Sequence, residues 1–230
     1  MRERTMSVRN VASDFDLIAA ALAAAPPRET LSPAERSLLR HIPIGARTAI
    51  DVGCGDGLLT RAMACRGLSV LGVDVSAGMI ELARARSREV VGVEYRLADI
   101  MAAGGPLGTF DVDLSVAMAH HVPVRDVVPA LMRLVAPGGV LLVQDIMNRR
   151  GAHQLPVNIL AMGVRQVRRL IAPSRITSHV ASAYHKHGAH EEYLDASMVA
   201  PTFAALLPAA RVIRHLEWRY SLVWHAPAAA

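Results

Sequence analysis

The sequence predicts an α/β fold built on a doubly wound, largely parallel sheet, and three observations predict it. Short apolar runs alternate with amphipathic stretches from residue 48 to residue 145, the pattern of parallel strands joined by crossover helices. The run Ala49-Ile50-Asp51-Val52-Gly53-Cys54-Gly55-Asp56-Gly57-Leu58-Leu59 carries a buried-strand pattern into a glycine-rich turn and then into a helix. Acidic or polar residues recur where later strands should end, at Asp74, at Asp99 and between Ala117 and His121. Open parallel sheets bind ligands beyond those ends.

Taken in order, residues 12–25 read as a helix capped by Ser13 or Asp14 and ended by Pro26-Pro27. Ser32-Pro33 opens a second helix that runs to about His41, with serine as the cap and proline in the first turn. Residues 48–52 form the first strand. Residues 56–66 are helical, with Asp56 as cap and Gly67 as stop. Residues 69–73 form the second strand, ending at Asp74, and Ser76 caps a helix over 77–87. The third strand spans 91–97 and ends at Asp99, and residues 102–109 form a Gly- and Pro-rich loop. Residues 110–118 make the fourth strand and 124–135 a helix. Pro137-Gly138-Gly139 turns the chain into a fifth strand over 140–144. There the alternation stops. Residues 155–171 look helical, 172–190 look like a loop, and 195–207 look helical again. Residues 211–217 and 220–224 form an antiparallel hairpin on the sheet edge. The stretch 146–208 is too long for a plain connection and is expected to cap the sheet.

Composition narrows the function classes. Of 230 residues, 52 % are hydrophobic, enough for a substantial core and against wholesale disorder. Two cysteines, Cys54 and Cys65, have neither metal-ligand spacing nor a disulfide framework, which points to a reducing, cytoplasmic setting. The apolar run 17–25 is too short and too late for a secretory signal, and no stretch is long enough to span a membrane. The formal charge is +5, and the excess is concentrated. Residues 146–190 contain no acid but hold Arg149, Arg150, Arg165, Arg168, Arg169, Arg175 and Lys186. Arg165, Arg168 and Arg169 share one helical face. They are either a solvated face or a site for a carboxylate or phosphate.

The spacing of the polar signals discriminates between ligands. Gly53-x-Gly55-x-Gly57 is not the GxGxxG of dinucleotide binding. Asp74 suits a ribose diol, because a carboxylate offers two acceptor oxygens. A further acid after the third strand, in Leu97-Ala98-Asp99-Ile100, lies outside the dinucleotide pattern and suits an adenine amino group. Both features argue against a nicotinamide-dependent reductase.

Four segments together resemble the class I S-adenosylmethionine-dependent methyltransferases of the small-molecule type. They are Asp51-Val52-Gly53-Cys54-Gly55-Asp56-Gly57, Gly72-Val73-Asp74, Leu97-Ala98-Asp99-Ile100 and Leu134-Val135-Ala136-Pro137-Gly138-Gly139. Their order and separations match over residues 48–145. The resemblance implies a Rossmann-like seven-stranded sheet in the order 3-2-1-4-5-7-6, with N-terminal helices and a helical cap between strands five and six. It divides one methyltransferase domain into N-terminal helices (1–45), a cofactor-binding core (46–145), an acceptor-binding insertion (146–208) and a terminal hairpin (209–230). It also implies residue roles. Gly53 and Gly55 would let the backbone approach the methionine portion of S-adenosylmethionine, with Ala117 nearby, and Asp51 would hold the ammonium group. Asp74 would accept the ribose hydroxyls. Val75 and Met79 would sandwich the adenine, and Asp99 and Ile100 would read its amino edge.

The methyl acceptor is less determined. His120 and His121 follow the fourth strand beside the expected sulfonium. Either could serve as a base for an acceptor that carries a proton, or simply pack in the loop. Arg165, Arg169, Tyr184 and His185 are candidate acceptor contacts, with a polar loop as the plainer reading of Tyr184-His185-Lys186-His187-Gly188-Ala189-His190. No metal is expected. The expected partner is a small-molecule acceptor, a secondary metabolite or an anion being the narrower options. Neither DNA nor a membrane is expected as partner, and the oligomeric state stays open. The segment Ala117-Met118-Ala119-His120-His121 lacks the Asn/Asp-Pro-Pro-aromatic pattern of enzymes that methylate base or amide nitrogens. Methylation of RNA or a peptide through the basic insertion, and cofactor binding without turnover, are the competing readings.

Overall fold

In the computed structural model, which describes residues 8–102, 107–151, 154–171, 177–188 and 193–229, Thr48–Val52 forms β1. It is buried along nearly its whole length, as a strand with neighbours on both edges and helices on both faces must be. β1 pairs in parallel with Ser69–Asp74 (β2) and with Phe110–Val116 (β4). β2 pairs with Val93–Leu97 (β3), and β4 with Val135–Ile146 (β5), again in parallel. Arg211–His215 (β6) and Arg219–His225 (β7) form an antiparallel hairpin, and β7 lies antiparallel against β5. The sheet order is β3-β2-β1-β4-β5-β7-β6, the order implied by the resemblance.

Register fixes what each face buries. Ile50, Asp113 and Leu141 lie in line across β1, β4 and β5, so their side chains share one face. That face packs against Val124–Met132 (α5) and Ala196–Leu206 (α8), through Val127, Leu131, Val199 and Phe203. The other face buries Ala49, Val112, Leu114 and Leu142 under Pro33–Leu38 (α2) and Leu58–Ala64 (α3). Ala77–Arg86 (α4) packs on β3 through Ile80, Ala83 and Tyr95. Val8–Ala23 (α1) lies on α4, with Ile18 and Ala19 against Met79.

Several boundaries differ from the sequence reading, each for a local reason. The first helix starts at Val8, so Ser13 and Asp14 lie inside it and cap nothing. The helix expected to run to His41 ends at Leu38 and tightens into a single 3₁₀ turn over Leu39–His41. Its start is as expected. The Ser32 hydroxyl accepts from the Glu35 N–H at 3.2 Å, and Glu35 accepts in return from the Ser32 N–H at 2.6 Å, a reciprocal cap. Asp56 stands one residue ahead of the cap position of α3, and its Oδ1 accepts from the Leu58 N–H at 3.3 Å. The cap position belongs to Gly57 in a left-handed conformation, and the Asp56 carboxylate is paired with Arg86. β3 begins at Val93 rather than residue 91, and β4 stops at Val116. α5 ends at Met132, not residue 135, because the chain is already in strand geometry at Val135. Pro137-Gly138-Gly139 is therefore not a turn into the fifth strand but an irregularity within it. Phe110 pairs with Val135, yet Val112 pairs with Val140. A β-carbon on Gly139 would sit 2.9 Å from the carbonyl oxygens of Ala136 and Asp111, which accounts for the second glycine.

The largest correction concerns residues 172–190. Ser178–Gly188 is a helix (α7), not a loop. It follows Leu155–Ile171 (α6) between β5 and β6, and it packs on α1. The segment returns to the sheet where Asn148 and Asp195 bridge; the Asn148 N–H donates to Leu194 O and the Ala196 N–H to Asn148 O, both at 2.8 Å. No helix among the described residues is long and apolar enough to cross a membrane.

Candidate active site

The C-terminal ends of β1, β2, β4 and β5 open into one cavity of about 1290 Å³, roofed by α1 and α7. Ordinary small-molecule pockets hold roughly 300–1000 Å³, so this one has room for two ligands side by side.

The glycine turn forms its floor. The N–H groups of Gly53 and Cys54 both donate to Val73 O, at 2.8 and 3.0 Å, which locks the turn onto the tip of β2. Gly53 has φ +73°, and a β-carbon there would meet Met118 Cγ at 2.8 Å. The position admits only glycine on both counts. The Gly55 N–H donates to Asp74 Oδ2, and the Ser76 N–H to Asp74 Oδ1, each at 2.9 Å. Asp74 thus accepts one backbone bond on each oxygen while lining the cavity, which leaves each oxygen further acceptor capacity. Burial raises its pKa. Asp51 is almost fully buried, and its Oδ2 accepts from the Thr60 hydroxyl at 2.6 Å. Burial, with Asp74 and Asp56 nearby, pushes its pKa up to about 7. That is the state of a carboxylate set in a cavity wall with other acids nearby.

Beyond β2, Ser76 caps α4 by accepting from the Met79 N–H at 3.0 Å. Asp16 of α1 accepts in turn from the Ser76 hydroxyl at 2.6 Å and from the Gly78 N–H at 2.9 Å. Val75, Met79, Asp99 and Ile100 all line the cavity. Asp99 also accepts from the Met101 N–H at 2.8 Å, which fixes the turn after β3. Ala117, at the exit of β4, has a left-handed φ of +57° and donates its N–H to Gln144 O at 2.8 Å.

The structure therefore brings all nine predicted cofactor residues and both histidines to one cavity. The predicted acceptor contacts divide. Tyr184 lines the cavity, whereas Arg165 and His185 are exposed and do not. The side chain of Arg169 lies outside the described residues, as do those of Arg168 and Lys186.

Sequence reasoning missed four residues here. Asp145, on β5, is fully buried. Its Oδ2 accepts from the His120 N–H at 2.9 Å, and its Oδ1 faces His120 Nδ1 at 2.6 Å. His187, on α7, pairs through Nδ1 with Asp14 of α1 at 3.0 Å. Phe15 stands edge-on to both His121 and His187, with ring centroids 5.6 and 4.7 Å away. Tyr193 lies against His120 at 5.2 Å. A signal existed for Asp145, an acid just beyond a strand as at Asp74 and Asp99. Among the described residues no group of three or more His, Cys, Asp or Glu could hold a metal ion.

Residues 50–143 match the methyltransferase domain family. That stretch holds the glycine turn, Asp74 and Asp99, and it is what the chain shares with the family. Among curated relatives, the ubiquinone biosynthesis O-methyltransferase of Pseudomonas paraeruginosa is 37 % identical over 144 residues, covering 58 % of this chain and 62 % of that protein. That of Chromobacterium violaceum is 34 % identical over 148 residues, covering 60 % and 63 %. The chain thus spans less than two thirds of the length of these relatives. The N-methyltransferase NodS of Bradyrhizobium japonicum, solved with S-adenosyl-L-homocysteine, superposes with a TM-score of 0.60 at 14 % identity, over 93 % of this chain and 98 % of that one. The [4+2]-cyclase SpnF superposes with a TM-score of 0.61 at 15 % identity, over 98 % of each chain. That pair shows the methyltransferase fold serving two chemistries, so reaction type must be argued from the site.

Proposed function

We propose that the protein transfers the methyl group of S-adenosylmethionine to a hydroxyl oxygen of a small molecule. The observation that carries the proposal is the single cavity that runs from Asp51, Asp74 and Asp99 to His120. The named relatives support oxygen as the acceptor atom. The residues fit the cofactor on three counts. Asp51 is a buried carboxylate with no cationic partner among the described residues, and the methionine ammonium would supply one. Asp74 keeps one acceptor site per oxygen for the two hydroxyls of a ribose. Gly53 and Gly55 leave the floor without side chains where the methionine portion would lie. Val75 and Met79 would hold the adenine, Asp99 would accept from its amino group, and the Ile100 N–H would donate to its ring.

When bound, the cofactor supplies a methyl group already activated by its sulfonium. The protein's work is then to align the acceptor, exclude water and remove the acceptor's proton. α1 and α7 enclose the acceptor space, and the enclosure favours a small molecule over RNA or a peptide. His120 would take the proton.

Calorimetric titration with S-adenosylhomocysteine tests the reading. The wild type should bind it, and Asp74→Ala should bind it about a hundredfold more weakly, the loss of two hydrogen bonds to a charged acceptor. A wild type that binds NADH and not S-adenosylhomocysteine would overturn it.

A further inference from the structure

We infer that Arg219 selects the methyl acceptor, and that the acceptor is a flat phenol or catechol carrying a carboxylate. The inference rests on the methyl-transfer reading and deepens it. β5 runs parallel to β4 and β1, so its last residue, Ile146, stands at the edge of the sheet where the cavity opens. β7 runs antiparallel, so it presents its first residue at that edge. Arg219 pairs with Ile146 there, and both line the cavity. Side chains alternate along a strand, which puts Arg219 and Ile146 on one face and Tyr220 and Asp145 on the other.

Four arginines line the cavity, and three of them already face a carboxylate. Arg28 pairs with Glu35 at 2.9 Å, Arg86 pairs with Asp56, and Arg125 stands 3.9 Å from Asp126. The fourth is Arg219, half-buried, and among the described residues no acid pairs with it. Its hairpin partner is His215, whose pKa is lowered by burial first and then by Arg219, so that ring brings no negative charge. Asp145, one step along the ladder, accepts instead from the N–H groups of His120 and Ile146 at 2.9 and 2.7 Å. A guanidinium offers a planar fork of donors, and a carboxylate matches it with two parallel bonds. Position sets the length of the acceptor. Neighbouring strands lie about 4.8 Å apart, and β5 separates β4 from β7, so Arg219 starts about 10 Å across the sheet from the exit of β4. One aromatic ring with a short acid side chain spans that gap. The wall beside it is built of rings. Tyr193 lies against His120 with centroids 5.2 Å apart, Phe15 stands edge-on to His121 at 5.6 Å, and all four line the cavity. Their faces and edges suit another flat ring.

Paired acceptors test this: para-hydroxybenzoate and para-hydroxycinnamate, the catechol analogue of each, and the carboxamide of every acid. With S-adenosylmethionine as donor, the wild type should show a KM for an acid about 10–100-fold below that for its amide, the ordinary worth of hydrogen bonds to a charged group. Arg219→Gln should raise the KM of the acid by that factor and erase the preference. Arg219→Lys keeps the charge without the fork and should restore part of it. The affinity of Arg219→Gln for S-adenosylhomocysteine should stay within about threefold, because β7 lies three strands across the sheet from the glycine turn; this also shows that the variant folds. A wild type that takes the amides as readily as the acids, or an Arg219→Gln variant that keeps the preference, overturns the inference. A wild type that binds S-adenosylhomocysteine yet methylates none of the acids also overturns it, while leaving the cofactor site standing. A wild type that does not bind S-adenosylhomocysteine overturns the methyl-transfer reading itself.

Discussion

Asp113 should destabilise the fold at neutral pH, and replacing it by leucine should stabilise the protein. The residue sits in the middle of β4, fully buried between Ile50 and Leu141 on the face packed by α5 and α8. Among the described residues neither carboxyl oxygen has a hydrogen-bond partner. Burial, and then the negative charge of Asp51, raise its pKa well above the ordinary value. A folded pKa above the unfolded one means that the folded state holds a proton the unfolded chain has released. The stability of this group is complete below about pH 4 and is lost as pH rises toward its folded pKa. The loss is about 1.4 kcal/mol for each pH unit between the unfolded and folded values. Leucine has the same branched skeleton with larger termini, and overpacking takes back about 1–3 kcal/mol. Asp113→Leu should therefore gain on the wild type as pH rises from 5 to 7, by about 1.4 kcal/mol for each unit over which the folded wild type keeps its proton. Asp113→Asn should lose the same pH dependence while keeping an unsatisfied amide, and so gain less. Urea unfolding of the three proteins at pH 5 and pH 7, compared at constant m, reads both quantities. A leucine variant with the pH dependence of the wild type would refute the reasoning, because the proton would then not reside on Asp113.

Gly53→Ala should cost about 1–2 kcal/mol from its left-handed backbone alone, more from the approach to Met118, and should abolish S-adenosylhomocysteine binding; thermal melts and calorimetry check the two parts. Ser32→Ala should cost about 1 kcal/mol by removing one half of the reciprocal cap of α2. It should leave cofactor affinity unchanged, and a denaturant midpoint shift reads it.

The sheet and the cofactor floor were legible because their chemistry is local. A glycine turn, an acid after a strand and a serine cap each announce themselves within a few residues, and Gly53, Asp74 and Ser76 all stand where such local rules put them. What was missed depends on partners far along the chain. α7 buries Val180 and His187 and presents Tyr184 to the cavity, a 180-184-187 stripe at helical spacing. Two of those three positions are polar residues, so the stripe does not read as apolar until α1 supplies Asp14 and Phe15 to meet it. Asp145 stood directly after a fifth strand that was ended two residues early, but its partner His120 lies 25 residues back at the exit of another strand. β4 holds a contrast that its sequence does not show. Phe110-Asp111-Val112-Asp113-Leu114 alternates like a half-exposed strand, and Asp111 does accept from the Arg47 and Thr48 N–H groups at 2.8 and 2.9 Å. Asp113 obeys the same pattern in the sequence but lies in the core.

The placement of β7 ties folding to the order of synthesis. β5 is paired on one edge with β4, but its other edge is covered only when residues 219–225 reach it. Throughout translation of α6, α7 and α8, a nascent chain that has already built β1 to β5 presents the apolar, unpaired edge of β5. A ribosome stalled anywhere in that interval holds a domain with its glycine turn made and one side of its sheet adhesive. Chaperone demand should be greatest there, and truncation before residue 219 should yield aggregate rather than a smaller folded protein.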